Sequence, residues 1–325
     1  MTVLVTGATG LVGNNVVRGL LDAHPGEPVR CLLRASADPR PLADLNVEIA
    51  TGDITDRMSL DRAMDGVDRV VHAAADVRIG WSGADAMHVA NVEGTANVAG
   101  AARDAGARMV HVSSADTLRG GPVADIPYVA TKREAERRVL TAVEAGLDAV
   151  IVNPAFVLGP NDWKPSSGRV LLAAASGWVP FAPRGDLGLC DVRDVADVII
   201  AALGTGDCGA SHALFGHRMT WLQALRLFAR AGGRWPPICR FDPVAWRAVG
   251  LAGDMIGRLT GREPAVNSAA IRLAGQRDLP GGAKKKPSLE TGLRPVEITI
   301  ADAWSWFQAQ ARTQAHAGGG RNQAR

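Results

Sequence analysis

Tyrosine is almost missing from this chain: its 325 residues contain one, Tyr128. Aromatic residues make up only 5% of the whole, and four cysteines (Cys31, Cys190, Cys208, Cys239) lie scattered. With no Cys-x-x-Cys and no His/Cys cluster at metal spacing, neither a disulfide framework nor a metal site is expected, which suits a reducing compartment. No apolar run has the length of a membrane span, and Met1–Val5 opens directly as a strand without the basic segment of a leader peptide. Charge of one sign is lacking too. The net +3 is too small and dispersed for nucleic acid, and the one basic run, Lys284–Lys286, reads as a solvated loop. What remains is a soluble, cytoplasmic globular protein, 47% hydrophobic and 21% charged, with no nucleic-acid or membrane partner. Its size allows one large domain or two small ones.

What the chain does have begins at Val3-Leu4-Val5, a short apolar strand. The stretch Thr6-Gly7-Ala8-Thr9-Gly10-Leu11-Val12-Gly13 follows, and then the helical pattern Val16, Val17, Leu20, Leu21. Glycines spaced three apart between a strand and a helix fit a dinucleotide pyrophosphate. Gly7 permits a tight turn, Gly10 a close backbone approach and Gly13 packing of helix on strand, while the helix N-terminus attracts phosphate. Thr6, Gly7, Thr9, Gly10, Leu11, Val12 and Gly13 are therefore candidate cofactor contacts. The next strand, Pro28–Arg34, ends on arginine where a carboxylate would hold the ribose of NAD. A guanidinium suits a 2′-phosphate, so Arg34, with Arg40 nearby, favours NADP(H) while leaving NAD(H) possible. After a third strand at 46–50, Asp53 and Ile54 fall where an adenine would lie; Asp53 would equally serve as a helix cap. A fourth strand, 67–72, runs into Ala73-Ala74-Ala75, small enough for a cofactor to pass close to the backbone. A helix over 84–105 contains Asn91, and a fifth strand, 108–113, ends in Ser113-Ser114-Ala115. This alternation predicts an α/β fold: a Rossmann, doubly wound parallel sheet with ligands at the carboxyl ends of its strands, where Ser113 or Ser114 would touch substrate.

Tyr128 and Lys132 stand four apart on a predicted helix, 125–145, and so share one face. An ammonium beside a phenol favours the phenolate, so the pair reads as a proton-transfer device with the phenol pKa drawn down from its usual value near 10.

Thr6–Gly13, Asn91-Val-Glu-Gly-Thr95, Ser113-Ser114-Ala115 and Tyr128-x-x-x-Lys132, in that order, resemble the extended branch of the short-chain dehydrogenase/reductase superfamily. Asn153–Gly168 and Cys190–Ala196 narrow the resemblance to the dihydroflavonol reductase, cinnamoyl-CoA reductase and 3β-hydroxysteroid dehydrogenase group. The resemblance implies that Ser114 bonds the substrate carbonyl, Tyr128 exchanges the proton on that oxygen, and Lys132 holds the nicotinamide ribose and lowers the tyrosine pKa. It also implies that Ser113 and Asn91 belong to the cofactor side and that Pro154, Ala155, Phe156 and Val157 line the nicotinamide pocket. One departure stands out. Only fourteen positions separate Ser114 from Tyr128, fewer than the family usually has, so the site would be left open or suit a different substrate.

The Rossmann domain is expected to comprise 1–153 and 190–206. A smaller, mainly helical C-terminal substrate domain would be formed from 154–189 and 207–312, with helices near 168–176, 219–232, 243–260 and 264–275. Trp163, Trp178, Phe181 and Trp221 would line an apolar pocket. Phe241, Trp246, Met255 and Ile256 would form an exposed face for dimerisation or a lid, and 313–325 a disordered tail. The expected activity is NADPH-dependent hydride transfer to a ketone or aldehyde of a bulky apolar substrate by a monomer or homodimer. An NAD-dependent sugar-nucleotide epimerase or dehydratase, and a non-catalytic NADP(H)-binding protein, are the alternatives.

Overall fold

The protein is described by a computed structural model that covers residues 1–240, 243–260, 263–276 and 292–319. Lys284–Lys286 and Phe241 lie outside the described residues.

The first half alternates regularly. β1 (Val3–Thr6), α1 (Leu11–Ala23), β2 (Val29–Leu33), β3 (Glu48–Thr51), α2 (Arg57–Ala63) and β4 (Arg69–His72) follow one another. Next come α3 (Ala84–His88), a π-helical turn (Val89–Glu93) and α4 (Gly94–Asp104), then β5 (Arg108–Val112), α5 (Pro127–Glu144) and β6 (Ala149–Pro154). The single helix expected over 84–105 is thus one continuous helical path with a π turn at Asn91.

The remaining elements are β7 (Phe156–Leu158), α6 (Gly168–Ser176), β8 (Phe181–Ala182), β9 (Asp186–Asp191), α7 (Val192–Ala202), β10 (Ser211–Leu214) and β11 (His217–Thr220). After them come α8 (Trp221–Ala231), β12 (Cys239–Arg240), α9 (Pro243–Thr260), α10 (Ser268–Ala274) and α11 (Val296–Gly319).

Seven strands form one sheet in the order β10-β6-β5-β4-β1-β2-β3, and every pairing is parallel. Side chains alternate across it, and because both faces are covered both alternations are apolar. Val3, Val5, Cys31 and Val71 face α1 and α7; Leu4, Leu32, Val70 and Met109 face α2, α4 and α5. The order reverses between β1 and β4, and a crevice opens there at the carboxyl ends. The seventh strand, β10, falls inside the stretch that the sequence reading assigns to the substrate region. Its Ser-His-Ala-Leu is too short for periodicity to flag, and pairing with β6 makes it a strand.

The elements outside the main sheet have their own core. β7, β9 and β11 form a small sheet, covered by α6, α8 and α11 around Leu158, Leu171, Leu189, Phe228 and Phe307. α11 continues to Gly319, so residues 313–319 of the expected disordered tail are helical, as alanines at 309, 311, 315 and 317 favour.

Candidate active site

The glycine turn is built by collision avoidance. Gly7 has φ +73°, and a Cβ there would stand 2.6 Å from the carbonyl carbon of Ala73 and the nitrogen of Ala74. A Cβ on Gly13 would collide with the carbonyl oxygen of Gly7. The turn therefore lies flat against the end of β4, and Ala73-Ala74 forms its far wall. Gly10 caps α1 without a side chain, so the first amides of that helix are left for an anion. Asn14 ties the turn down by donating to the carbonyl oxygens of Ala8 (3.3 Å) and Pro41 (2.9 Å). Thr9, Leu11 and Val12 sit half-buried on this rim. A narrow, side-chain-free cradle ending on open helix amides fits a dinucleotide pyrophosphate.

Arg34 follows β2 at the same edge. It is exposed and makes no side-chain hydrogen bond or ion pair among the described residues, whereas Arg40 is held by Asp38 at 2.7 Å. Of the two arginines, only Arg34 is free for a phosphate. Asp53 does not cap α2. Asp56 does so, and Asp53 instead accepts from the amide and hydroxyl of Thr55, both at 2.9 Å. Ile54 packs on Gly94, and its carbonyl accepts from Asn97 at 3.1 Å.

α5 starts at Pro127, pre-set for the first helical position, and carries Tyr128, Lys132 and Glu136 down one face. Lys132 is 3% exposed and donates to the carbonyl oxygen of Val112 at 2.7 Å. Burial pushes its pKa down to about 8, with the Glu136 carboxylate working the other way. Tyr128 departs from the expected direction. Its phenol is pushed up to about 12, first by burial and then by the Asp116 carboxylate, with the Ser114 hydroxyl opposing. The lysine charge does not act as expected because it is directed at a backbone carbonyl rather than at the phenol. Asp116, raised by its own burial, is held by Arg119 at 2.9 Å and takes part in the turn that Ser114 caps, its amide donating to Ser114 at 3.2 Å.

Two serines end β5, and they separate. Ser114 faces the tyrosine side, while Ser113 donates to Glu136 at 2.5 Å. The same Glu136 oxygen accepts from Thr117 (2.8 Å) and Asn153 (2.6 Å). This buried knot fixes α5 against the ends of β5 and β6. Asn91 is likewise engaged: it accepts from the Asp76 amide at 2.7 Å and donates to the Asp76 carbonyl (2.9 Å) and to Thr131 (3.1 Å). Asn91 and Ser113 thus hold the scaffold with their side chains. Ala75 continues the β4 loop, and Pro154, Ala155, Phe156 and Val157 run from β6 into β7, where Phe156 meets Trp221 edge-on at 5.5 Å. Trp163 stacks edge-on against Trp306, which packs on the core of the small sheet, whereas Trp178 is exposed.

The short Ser114–Tyr128 segment packs against α10. Tyr128 packs in a cluster with Val123, Ile126, Ile79, Trp81, Ala269 and Leu273, and the last two come from α10. Trp81 donates to Ser268 at 2.7 Å, the Arg272 guanidinium lies 5.4 Å over the Trp81 ring, and Arg272 pairs with Asp125 at 2.6 Å. Sequence reasoning missed this roof, because a contact across almost 150 residues has no local signature. It also missed Glu136, although its place four residues after Lys132 was a readable signal.

Beneath the floor lie His72 and His111, fully buried with ring centroids 5.3 Å apart. His72 bridges Thr6 (2.7 Å) and Thr95 (3.0 Å), whereas the ring nitrogens of His111 have no partner. Burial, aided by the Lys132 charge, holds both neutral: His72 is pushed down to about 3 and His111 well below its usual value.

Residues 3–214 match the family model described as the NAD dependent epimerase/dehydratase family. Sterol demethylase protein B of Methylococcus capsulatus is 34% identical over 95% of this chain and 98% of its own. Ceramide reductase of Caulobacter vibrioides is 31% identical over 79% of each chain. The solved structure of gox2253 covers 96% of this chain and 99% of its own with a TM-score of 0.80 at 31% identity.

Proposed function

The chain belongs to the NAD dependent epimerase/dehydratase family of NAD(P)-dependent oxidoreductases, and we propose that it is an NADPH-dependent reductase of a ketone or aldehyde on a bulky, largely apolar molecule. The observation that carries this reading is the place of Tyr128 at the head of α5, on the side that Ser114 faces and packed on the apolar cluster of Val123, Ile126, Val129 and Ala269, where burial pushes its phenol up to about 12. A phenol kept in its acid form suits reduction, in which it gives its proton to a carbonyl oxygen as negative charge develops there. Ser114 donates a hydrogen bond to the same oxygen. Lys132 would hold the nicotinamide ribose, Gly7–Gly13 with the open end of α1 the pyrophosphate, and Arg34 the 2′-phosphate. The bound dinucleotide supplies the hydride. Glu136 keeps positive charge on Lys132, and the apolar roof excludes water from the proton transfer.

The two named relatives act, by their names, on a sterol and a ceramide, both large and apolar, in keeping with this apolar cluster. A sugar nucleotide would need cations for its diphosphate, and Arg272, on the helix beside this cluster, is engaged with Asp125 and Trp81. The test is NADPH consumption scanned over aldehydes, diketones, flavonoids and sterols, followed by Tyr128→Phe. Loss of a general acid lowers turnover by roughly 10²–10⁴-fold, with NADPH binding retained. A fully active Tyr128→Phe enzyme would end the proposal.

A further inference from the structure

α9 is amphipathic in an inverted sense. Its small residues face the protein: a Cβ on Gly250 would stand 2.9 Å from Ser268, and one on Gly253 would collide with the Val266 carbonyl oxygen. Asp254, on the same side, accepts from the Ser268 amide at 3.0 Å. The large apolar side chains point the other way. Leu251 and Met255 are each 64% exposed and Leu259 81%, with Val249 and Ile256 also exposed. At about 100° per residue, Leu251, Met255 and Leu259 fall in one stripe, and Arg247 and Arg258 border it on one side. Just upstream, Trp235 is 83% exposed. Among the described residues from 230 to 260, every exposed charged side chain is an arginine: Arg230, Arg234, Arg240, Arg247 and Arg258.

We infer that α9 is an interfacial helix that docks the protein on an anionic lipid bilayer, with its leucine–methionine stripe in the headgroup–acyl boundary and its arginines on the lipid phosphates. A basic border around large apolar side chains is the composition of helices that lie in a membrane surface. No described helix is long and apolar enough to cross a membrane, so the helix lies on the bilayer without spanning it. A second copy fits less well, since an antiparallel two-fold pairing of this face would oppose arginine to arginine. The roof helix α10 packs directly on α9, so the docked face adjoins the apolar cluster beside Tyr128.

The test is flotation of the full chain with vesicles of phosphatidylcholine alone or mixed with anionic phosphatidylglycerol. It reads binding without turnover, so it fails or succeeds independently of the proposed reductase activity. The wild-type protein is expected to float with the mixed vesicles and far less with phosphatidylcholine alone. Met255→Glu combined with Leu259→Glu is expected to weaken that binding by about tenfold or more, with NADPH binding unchanged as the control for folding. Arg247→Gln combined with Arg258→Gln is expected to abolish the preference for phosphatidylglycerol. Wild-type protein that ignores both vesicles overturns the inference, as does a glutamate variant that floats equally well. So does a wild-type dimer that the glutamate variant converts to monomer, which would assign the face to a second copy.

Discussion

The Lys132 ammonium, one helical turn after the Tyr128 phenol, donates to the carbonyl oxygen of Val112 at 2.7 Å. The lysine is thereby stored in the floor of the site, and the tyrosine is left to burial and to Asp116. The acid form of the phenol is thus the resting state.

That state is open to direct titration, because Tyr128 is the only tyrosine. Near-ultraviolet tyrosinate absorbance of the native protein should show one transition, displaced above the ordinary value of 10 towards about 12. Asp116→Asn removes the second cause of the shift and should move the transition down. A native midpoint below 10 would mean that Lys132 reaches the phenol after all.

The buried histidines set the acid limit of the fold. Burial holds His72 at about 3 and His111 well below the usual 6.5, so below about 6.5 the unfolded chain binds protons that the folded rings refuse. The stability gained by keeping the rings neutral is present above 6.5 and lost as pH falls. His72 alone accounts for a loss of about 2 kcal/mol on going to pH 5. Urea midpoints should fall through this range, and His111→Leu should flatten the slope. An unchanged slope in that variant would show that His111 does not titrate on unfolding as described.

Arg34 should decide between dinucleotides. Arg34→Ser removes a charge-assisted contact and should weaken NADPH binding by roughly ten- to a hundredfold with NADH little affected. Fluorescence titration of both cofactors reads this directly, and equal losses for the two would disprove a 2′-phosphate role.

Gly13→Ala places a methyl group into the Gly7 carbonyl oxygen, where the obstruction is backbone and cannot swing aside. The expected cost is several kcal/mol, at the severe end for one substitution. It should appear as a lowered unfolding midpoint together with lost dinucleotide binding. A variant of native stability would mean that the turn is less tightly packed against α1.

The strand–helix alternation of the first half and the glycine turn were legible in the sequence because their signals are local: apolar runs, a 3.6-residue period and a triplet of glycines. The common face of Tyr128 and Lys132 followed from helical spacing alone. The direction of the tyrosine pKa did not, since spacing gives proximity but not where an ammonium points. The bonds of Asn91 and Ser113 to Asp76, Thr131 and Glu136 had no local signal, because they depend on tertiary packing. The roof was the least legible part. Leu273 and Ala269 join the cluster beside Tyr128 only through the fold.

That roof has a consequence for how such a chain diversifies. On the proposed reading the dinucleotide seat is written in the first sheet strands, and the apolar surface beside Tyr128 is written near residue 270. The two can vary independently: exchanging the stretch from β12 to α10 between relatives would transplant substrate preference and leave coenzyme preference with the recipient.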